Sequence, residues 1–388
     1  MKVVMVCPYP ERPGEISGGV MGVSVYLTEA LARLPEIDLD IIVPDSAVGV
    51  ERTVALPGRT VHYLRAEHGR GTALKYAWIN PRAVARRLAG LSPDLVHVQN
   101  WASFVPFLKY PLVLTVHGIL ERDILYRGRF RQPRSWLMKQ LETNGRRRAE
   151  NVIVINPYVR EVLAANLRGR TWDIDNPVAD ELFEVVRRPV PGRVLFAGRI
   201  TALKNVHGLI EGFARVAAEN PAAELVLAGG GTEGAYGRRC RQRADDLGLA
   251  SRVRFLGALG REEFKEQLSS AACLALASFQ ENAPLVLAEA MAAGVPVVAS
   301  RVGGIPHMIE DKVSGVLFDP SSSDNLTAGL RYVLTPEHAD AVSRAARASA
   351  EHRYRASEVA RRTLQVYQEI LRRDTSRTRP RRDLPGGG

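Results

Sequence analysis

Glu281-Asn282-Ala283-Pro284-Leu285-Val286-Leu287-Ala288-Glu289 runs without a break into Ala290-Met291-Ala292-Ala293-Gly294-Val295-Pro296-Val297-Val298. The small and apolar residues after Pro284 favour a closely packed helix, Gly294 can end it, and the valines beyond read as a buried strand. A helix feeding directly into a buried strand belongs to a parallel α/β sheet. Two carboxylates stand eight positions apart in this stretch. Glu289 has no packing reason to lie in a helix of Ala, Leu and Met, because burying an unpaired carboxylate is costly. Accepting two hydrogen bonds from a vicinal diol, as on a ribose, is a job that suits it.

The same alternation of strand and helix extends in both directions. Strands are expected near residues 3–7, 39–43, 61–64, 95–98, 112–116 and 152–155, then near 194–197, 225–228, 253–256, 273–277 and 295–299. Between the two series lies Arg187-Arg188-Pro189-Val190-Pro191-Gly192, whose prolines and glycine suit an exposed linker. The division is therefore a first doubly wound domain over 1–186, a linker over 187–192 and a second domain over 193–355. Ligands in such sheets bind beyond the carboxyl ends of the strands. Ala356, Val359, Ala360, Leu364, Tyr367 and Leu371 fall at spacings of three and four, one apolar stripe on a last helix over 356–373. The remaining 374–388, rich in arginine and ending in three glycines, is expected to be a disordered basic tail.

A chain of 388 residues with 46% hydrophobic and 24% charged residues suits two globular domains. No stretch reaches the ~20 apolar residues that span a bilayer, and the opening apolar run is too short for a signal peptide. Cys7, Cys240 and Cys273 lack metal spacing and cannot all pair, which fits inert thiols in a reducing cytoplasm. The net charge of +11 is local: residues 127–148 carry eight Arg or Lys against one Glu, residues 372–388 six Arg against two Asp, and the rest is balanced.

Several loops carry chemistry. Gly18-Gly19, between the first strand and a helix, lets backbone N–H groups approach an anion, although no dinucleotide fingerprint follows and a bare glycine turn is the plain alternative. His117, in Thr115-Val116-His117-Gly118, ends a buried strand whose carboxyl end faces the crevice, although a hydrogen-bonded structural histidine is the plain alternative; His97 and Asn100 sit at a similar strand end with a weaker claim to a role. Gly198-Arg199 followed by Lys204 leaves the second domain's first strand with two cations that can converge on a diphosphate, solvated loop cations being the plain alternative. Ala228-Gly229-Gly230-Gly231-Thr232 is another strand-end glycine loop. Asp38-Leu39-Asp40 and Asp173-Ile174-Asp175 have the form of a metal-binding acidic pair but sit at expected turns and strand starts, so no metal is expected.

Together these pieces resemble the retaining glycosyltransferases of the GT-B type, in the GT4 group (glycosyl transferases group 1). The likeness runs from Lys2 to about Leu371 and is carried by Gly18-Gly19, His117-Gly118, Asn176-Pro177, Gly198-Arg199 with Lys204, and above all Glu281 with Glu289. The resemblance implies two Rossmann-like domains facing each other across a cleft and a hexosyltransferase acting in polysaccharide or glycolipid synthesis. A sugar would pass with retention from a UDP- or GDP-sugar to a hydroxyl of a glycan, lipid-linked or phosphorylated acceptor, without a metal or other cofactor. It further implies that Arg199 and Lys204 bind the diphosphate, with Gly18 and Gly19 contributing from the opposite domain. Glu281 would contact the transferred sugar, Glu289 the ribose, and His117 would lie beside the reacting carbon. Backbone near Ala283, Leu285 and Val286 would meet the donor, and Leu259 the base, while Tyr9 and Asn100 are candidates on the acceptor side. Pro284 departs from the family, standing where many relatives have glycine and offering no N–H.

The segment 127–148 sets Trp136, Leu137 and Leu141 among its cations, which suits an anionic membrane surface or a phosphorylated acceptor; a solvated helix face is the plain alternative. Nucleic acid is disfavoured because no interleaved basic and aromatic stripe occurs. The expected setting is cytoplasmic, peripheral at the inner face of the membrane. An isomerase on the same scaffold and a non-catalytic sugar-nucleotide binder are the competing functions.

Overall fold

The computed structural model describes residues 1–12, 14–46, 50–65, 75–118 and 133–378. Strands β1 (Lys2–Val6), β2 (Asp38–Ser46), β3 (Arg52–Leu56), β4 (Arg59–Arg65), β5 (Leu95–Gln99), β6 (Leu112–Val116), β7 (Asn151–Val154) and β8 (Arg170–Asp173) form one sheet. Its order is β3-β4-β2-β1-β5-β6-β7-β8, parallel throughout except for β3 against β4. A second sheet holds β9 (Arg193–Ala197), β10 (Glu224–Ala228), β11 (Val253–Gly257), β12 (Cys273–Leu276), β13 (Val297–Ser300) and β14 (Val316–Phe318), in the parallel order β11-β10-β9-β12-β13-β14.

The central strands β1, β5, β6, β9, β10, β12 and β13 are mostly Val, Leu, Ala and Phe and nearly all buried, with His97, Gln99, Thr115 and Ser300 as buried polar exceptions. Such near-continuous runs belong to parallel sheets covered by helices on both faces. Three strands escape the sequence signal, and each is an edge or outer strand. β3 exposes alternate residues, while β8 and β14 have only four and three residues. In the first sheet the order reverses between β1 and β5, and in the second between β9 and β12. Those switch points open the crevices where ligands bind in doubly wound sheets. Gly18-Gly19, Asn100 and His117 follow the first crevice; Arg199, Lys204 and Glu281 follow the second.

The linker is tied down along its length. The Arg187 guanidinium donates to the carbonyls of Gly294 and Ala271, and the N–H groups of Arg188 and Val190 donate to Ser269 and Ser270. Farther on, Val178 N–H donates to Tyr354 O at 2.7 Å and Ala356 N–H returns a bond to Val178 O at 2.9 Å. The chain there crosses back to the first domain. Helix Ala356–Thr378 buries Ala356, Val359, Ala360, Thr363, Leu364, Val366, Tyr367 and Ile370, a broader stripe than periodicity alone outlines, and Leu371 is only partly covered. This helix runs through Thr378, beyond the expected end at 373, so residues 374–378 are helical and not tail; residues 379–388 lie outside the described residues. No described helix is long and apolar enough to cross a membrane.

Candidate active site

The second domain brings its cations and first glutamate together through two glycine-locked loops. Gly198 and Gly229 both hold positive φ, and a Cβ on Gly229 would fall 1.9 Å from Gly198 O, so only glycine permits this approach. Beyond it Arg199 is exposed and has no ion pair among the described residues. A 3-10 turn, Ala202–Lys204, is anchored by Phe279 N–H donating to Leu203 O at 2.9 Å. The Lys204 ammonium thereby meets Glu281 Oε1 across 77 positions of sequence, and Ser278 Oγ donates to the same oxygen at 2.7 Å.

Glu281 and Asn282 are clamped from behind. Gly304 N–H donates to Glu281 O at 3.0 Å, and a Cβ on Gly303 or Gly304 would lie 1.8 Å from the carbonyl of Glu281 or Asn282. Pro284 then starts helix Leu285–Ala292, which no side chain caps. Its first N–H groups, with Leu285 and Val286 in the first turn, form a positive end suited to an anion. Across the cleft, helix Gly19–Leu31 also lacks a side-chain cap and begins after Gly18 at φ 107°. A Cβ on Gly19 would be 3.9 Å from the Leu285 Cβ, and one on Gly22 would be 2.7 Å from Leu285 Cδ2. The absence of side chains at Gly19 and Gly22 lets two helix N-termini from opposite domains approach each other.

Glu289, four residues into its helix, is buried at 7% exposure. Tyr26, on the first domain's helix, donates its hydroxyl to Glu289 Oε1 at 2.8 Å. Burial lifts the Glu289 carboxyl to about 7, against the Tyr26 bond and the nearby Arg261 charge, which both hold it down. Arg261 in turn lies 5.3 Å from the Tyr26 ring centroid and bridges Glu29 and Glu181.

The first domain contributes from the ends of β5 and β6. His117 is buried, its Nε2 bonded to Gln99 Oε1, and burial pulls its imidazole down to about 4, so it is neutral at physiological pH. Its carbonyl accepts from Asn282 Nδ2 at 3.3 Å, and Asn156 Nδ2 donates to Asn282 O at 2.6 Å. Gln280 reaches Tyr158 in the same seam. Asn100, at φ 73°, accepts from Gly118 N–H at 2.9 Å and so braces the loop after His117.

Of the other expected residues, Ala283 and Val286 flank this convergence, whereas Tyr9 and Leu259 are not among the side chains brought together here. Tyr9 is buried in the first core, its hydroxyl accepting from Arg59 Nε at 3.0 Å, a packing position and not an open acceptor surface. Leu259 follows Gly257 at the outer strand β11 and is partly buried, as are Ala283 and Val286. Three of the four acids in these pairs have side-chain partners: Asp40 meets Lys2 and His62 Nε2, Asp173 meets Arg160, and Asp175 meets Arg353. No cluster of metal-ligating side chains occurs among the described residues.

The basic segment is less uniform than its sequence. Arg127, Arg129 and Arg131 lie outside the described residues, and helix Pro133–Arg148 covers the rest. Arg146 is buried at 1% exposure and cannot act as part of a surface arginine cluster, whereas Arg147 and Arg148 are exposed and Trp136 is 65% exposed. The burial follows from close docking: a Cβ on Gly145 would fall 1.8 Å from Ala102 O, and Glu142 accepts from the N–H groups of Ala102 and Ser103.

Tyr26, Gln99, Asn156, Ser278 and Asn282 join the site without a sequence signal that singles them out. The Gly303-Gly304 pair after β13 was legible as a strand-end glycine loop of the same kind as Gly229-Gly230-Gly231.

Comparison with known proteins places this geometry. The profile of the family described as Glycosyl transferases group 1 matches residues 180–350, and that of Glycosyltransferase Family 4 matches residues 17–182. A D-inositol 3-phosphate glycosyltransferase from Saccharomonospora viridis is 30% identical over 93% of this chain and 91% of its own length. Its counterpart from Mycolicibacterium smegmatis is 39% identical over 41% of this chain, a match that spans 35% of that relative. In structure, a sucrose-phosphate synthase from Thermosynechococcus elongatus superposes with TM-score 0.79 at 20% identity, over 96% of this chain and 99% of the other. Anabaena HepE, solved with UDP and glucose, gives TM-score 0.72 at 20% identity over 95% and 99%. This chain belongs to the GT4 group of glycosyltransferases and has their GT-B fold, two Rossmann-like domains across a cleft.

Proposed function

We propose that the enzyme moves a hexose from a nucleoside-diphosphate sugar, UDP-linked in preference to GDP-linked, to a hydroxyl of a phosphorylated polyol or lipid-linked glycan, with retention at the anomeric carbon. The observation that carries this reading is the meeting of Lys204 and Glu281 beside two uncapped helix N-termini that face each other at Gly19 and Leu285. Arg199, Lys204 and those N-termini would neutralise a diphosphate as negative charge builds on it during departure. Glu281, fixed by Lys204 and Ser278, would accept hydroxyls of the transferred sugar, and Glu289 would accept from the ribose. UDP bound to HepE, and the inositol-phosphate acceptor in the names of the relatives, favour these substrate classes.

Double displacement would need a carboxylate beneath the sugar ring. Glu281, already engaged by Lys204 and Ser278, is better suited to hold hydroxyls. Same-face attack, with the leaving phosphate taking the acceptor proton, fits the site better. The chemistry asks nothing of a metal, so activity should persist in chelator. The test is incubation with UDP-glucose, UDP-N-acetylglucosamine and GDP-mannose in the presence of inositol phosphates and glycolipid extracts. An α-linked product supports the proposal. A β-linked product or a trapped glycosyl–protein adduct would contradict retention by same-face attack, and donor epimerisation without an acceptor would indicate an isomerase. Trp136, Leu137, Lys139, Arg147 and Arg148, all exposed on one helix, also favour docking on an anionic membrane at its inner face.

A further inference from the structure

At the amino ends of the first sheet's strands lies a cavity of about 660 Å³, a size that suits a small-molecule ligand. It opens where β6 starts at Leu112, β7 at Asn151 and β8 at Arg170, against the end of the crossing helix at Ile370 and Arg373. His117 and the cleft stand at the other end of β6, about 16 Å away along the strand. A ligand of this cavity is therefore neither the sugar nucleotide nor a hydroxyl under attack.

Four cations converge on the cavity from separate elements. Lys109 comes from the loop before β6, Arg148 from the end of helix Pro133–Arg148, Arg170 from β8 and Arg373 from the crossing helix. Arg148 ends one of the two basic segments that hold the chain's positive excess, and Arg373 lies at the start of the other, so the fold brings both to one place. Arg170 and Arg373 share Glu369 Oε1, at 2.6 and 3.2 Å, and one carboxylate cannot neutralise two guanidiniums. Trp172 steadies that arrangement: its Nε1–H donates to Glu369 Oε2 at 3.2 Å, and Arg170 lies over its ring. Glu150 and Asp374 also line the cavity and have partners of their own. Four cations thus face three acids, and Lys109 and Arg148 have no ion pair among the described residues. The rest of the lining is mostly apolar, with Val105, Leu112 and Ile370 belonging to the core. Guanidiniums grip phosphate oxygens in pairs, and an apolar wall beside them suits an uncharged body on the same molecule.

We propose that this cavity binds a phosphomonoester, its phosphate on Lys109 and Arg148 with Arg170 and Arg373 beside them, and its uncharged part on Leu112 and Ile370. The inference does not depend on the reaction proposed above. Two sources carry this chemistry, a soluble phosphorylated metabolite and the head group of a phosphatidic acid lipid. Because strand starts and the crossing helix both line the cavity, its ligand fastens the chain's last helix to the first domain.

Isothermal titration of the full chain with glycerol 3-phosphate, and with dihexanoyl phosphatidic acid below its micellar concentration, tests this. Both titrations are run in saturating UDP, which keeps the cleft filled. At least one probe should bind, and Arg148→Ala should weaken it about tenfold, the loss of a hydrogen bond to a charged group. Arg148 is exposed, so the variant should keep the native Tm without ligand. Arg147→Ala removes an equally exposed charge one position away, from a side chain that bonds Asn166 at 3.1 Å and does not line the cavity. Its affinity for the probe should stay within about twofold of native. Similar affinities for the two probes identify a soluble ester, and binding of phosphatidic acid alone identifies the lipid. No binding of either probe at millimolar concentration, displacement of the bound probe by UDP, or equal losses in Arg147→Ala and Arg148→Ala would overturn the proposal.

Discussion

Replacing Tyr26 with Phe removes one hydroxyl and should move the pH dependence of donor use. In the native protein burial raises the Glu289 carboxyl to about 7, and the 2.8 Å bond from Tyr26 is one of two influences holding it down. A hydrogen bond to a charged group contributes about 1.5–3 kcal/mol. If half of that distinguishes the ionised from the neutral acid, the carboxyl rises by about one unit, since one unit corresponds to about 1.4 kcal/mol. At pH 7 the ionised fraction would drop from about one half to about one tenth, and at pH 9 it would be about nine tenths or more in both proteins. A ribose diol needs the ionised acceptor, so the KM for UDP-sugar should rise about fivefold at pH 7 and converge with the native value at pH 9, with kcat little changed. Initial rates across pH 6–9 measure this directly. A KM that falls, or a ratio of variant to native that ignores pH, would refute the reasoning, because Tyr26 would then compete with the ribose or leave Glu289 untouched.

Four further outcomes follow from the same geometry. Because the folded Glu289 titrates near 7 and its ordinary value is 4.5, the folded state holds a proton that the unfolded state has lost between those values. This group's share of stability should fall as pH rises through that window, by about 3 kcal/mol in all, and urea unfolding of Glu289→Gln should lack that component. Lys204→Ala should lower kcat by about 10²–10³ in steady-state assays, with UDP affinity weakened less. Gly303→Ala sets a Cβ 1.8 Å from Glu281 O at φ 52°, so it should displace the Glu281 loop and lower both Tm and activity. Arg147→Glu with Arg148→Glu should abolish salt-sensitive sedimentation with phosphatidylserine vesicles while retaining the fold, because both side chains are exposed; Arg146 is excluded from this test by its burial.

The residues of the candidate site that stood out in the sequence share one property: their types conflict with their surroundings. Glu289 in an Ala-Leu-Met helix, two cations leaving a Val-Leu-Phe strand, and a histidine closing Leu-Thr-Val each call for a partner that local sequence does not supply. The strand series was equally plain, because strands covered on both faces read as near-continuous apolar runs. Tyr26 was not legible, since a tyrosine on an apolar helix ordinarily belongs to the core. Its partner lies 263 positions away, and only the facing of the domains brings the two together. Arg146 looked like surface charge beside Arg147 and Arg148, yet the glycine at 145 lets the helix sink onto Ala102 and carries Arg146 inside. Tyr9, read as facing the acceptor, is turned into the core by Arg59.

The central claim is that one nucleoside diphosphate lies across both domains, its phosphates held by Arg199, Lys204 and the helix starts at Gly19 and Leu285, its ribose by Glu289. A crystal structure of the protein soaked with UDP tests it most directly. The account expects phosphate oxygens within hydrogen-bond reach of Arg199, Lys204 and the Gly19 N–H, with a ribose hydroxyl on Glu289. UDP bound elsewhere, or bound here with Glu289 still turned away and paired only to Tyr26, would contradict it.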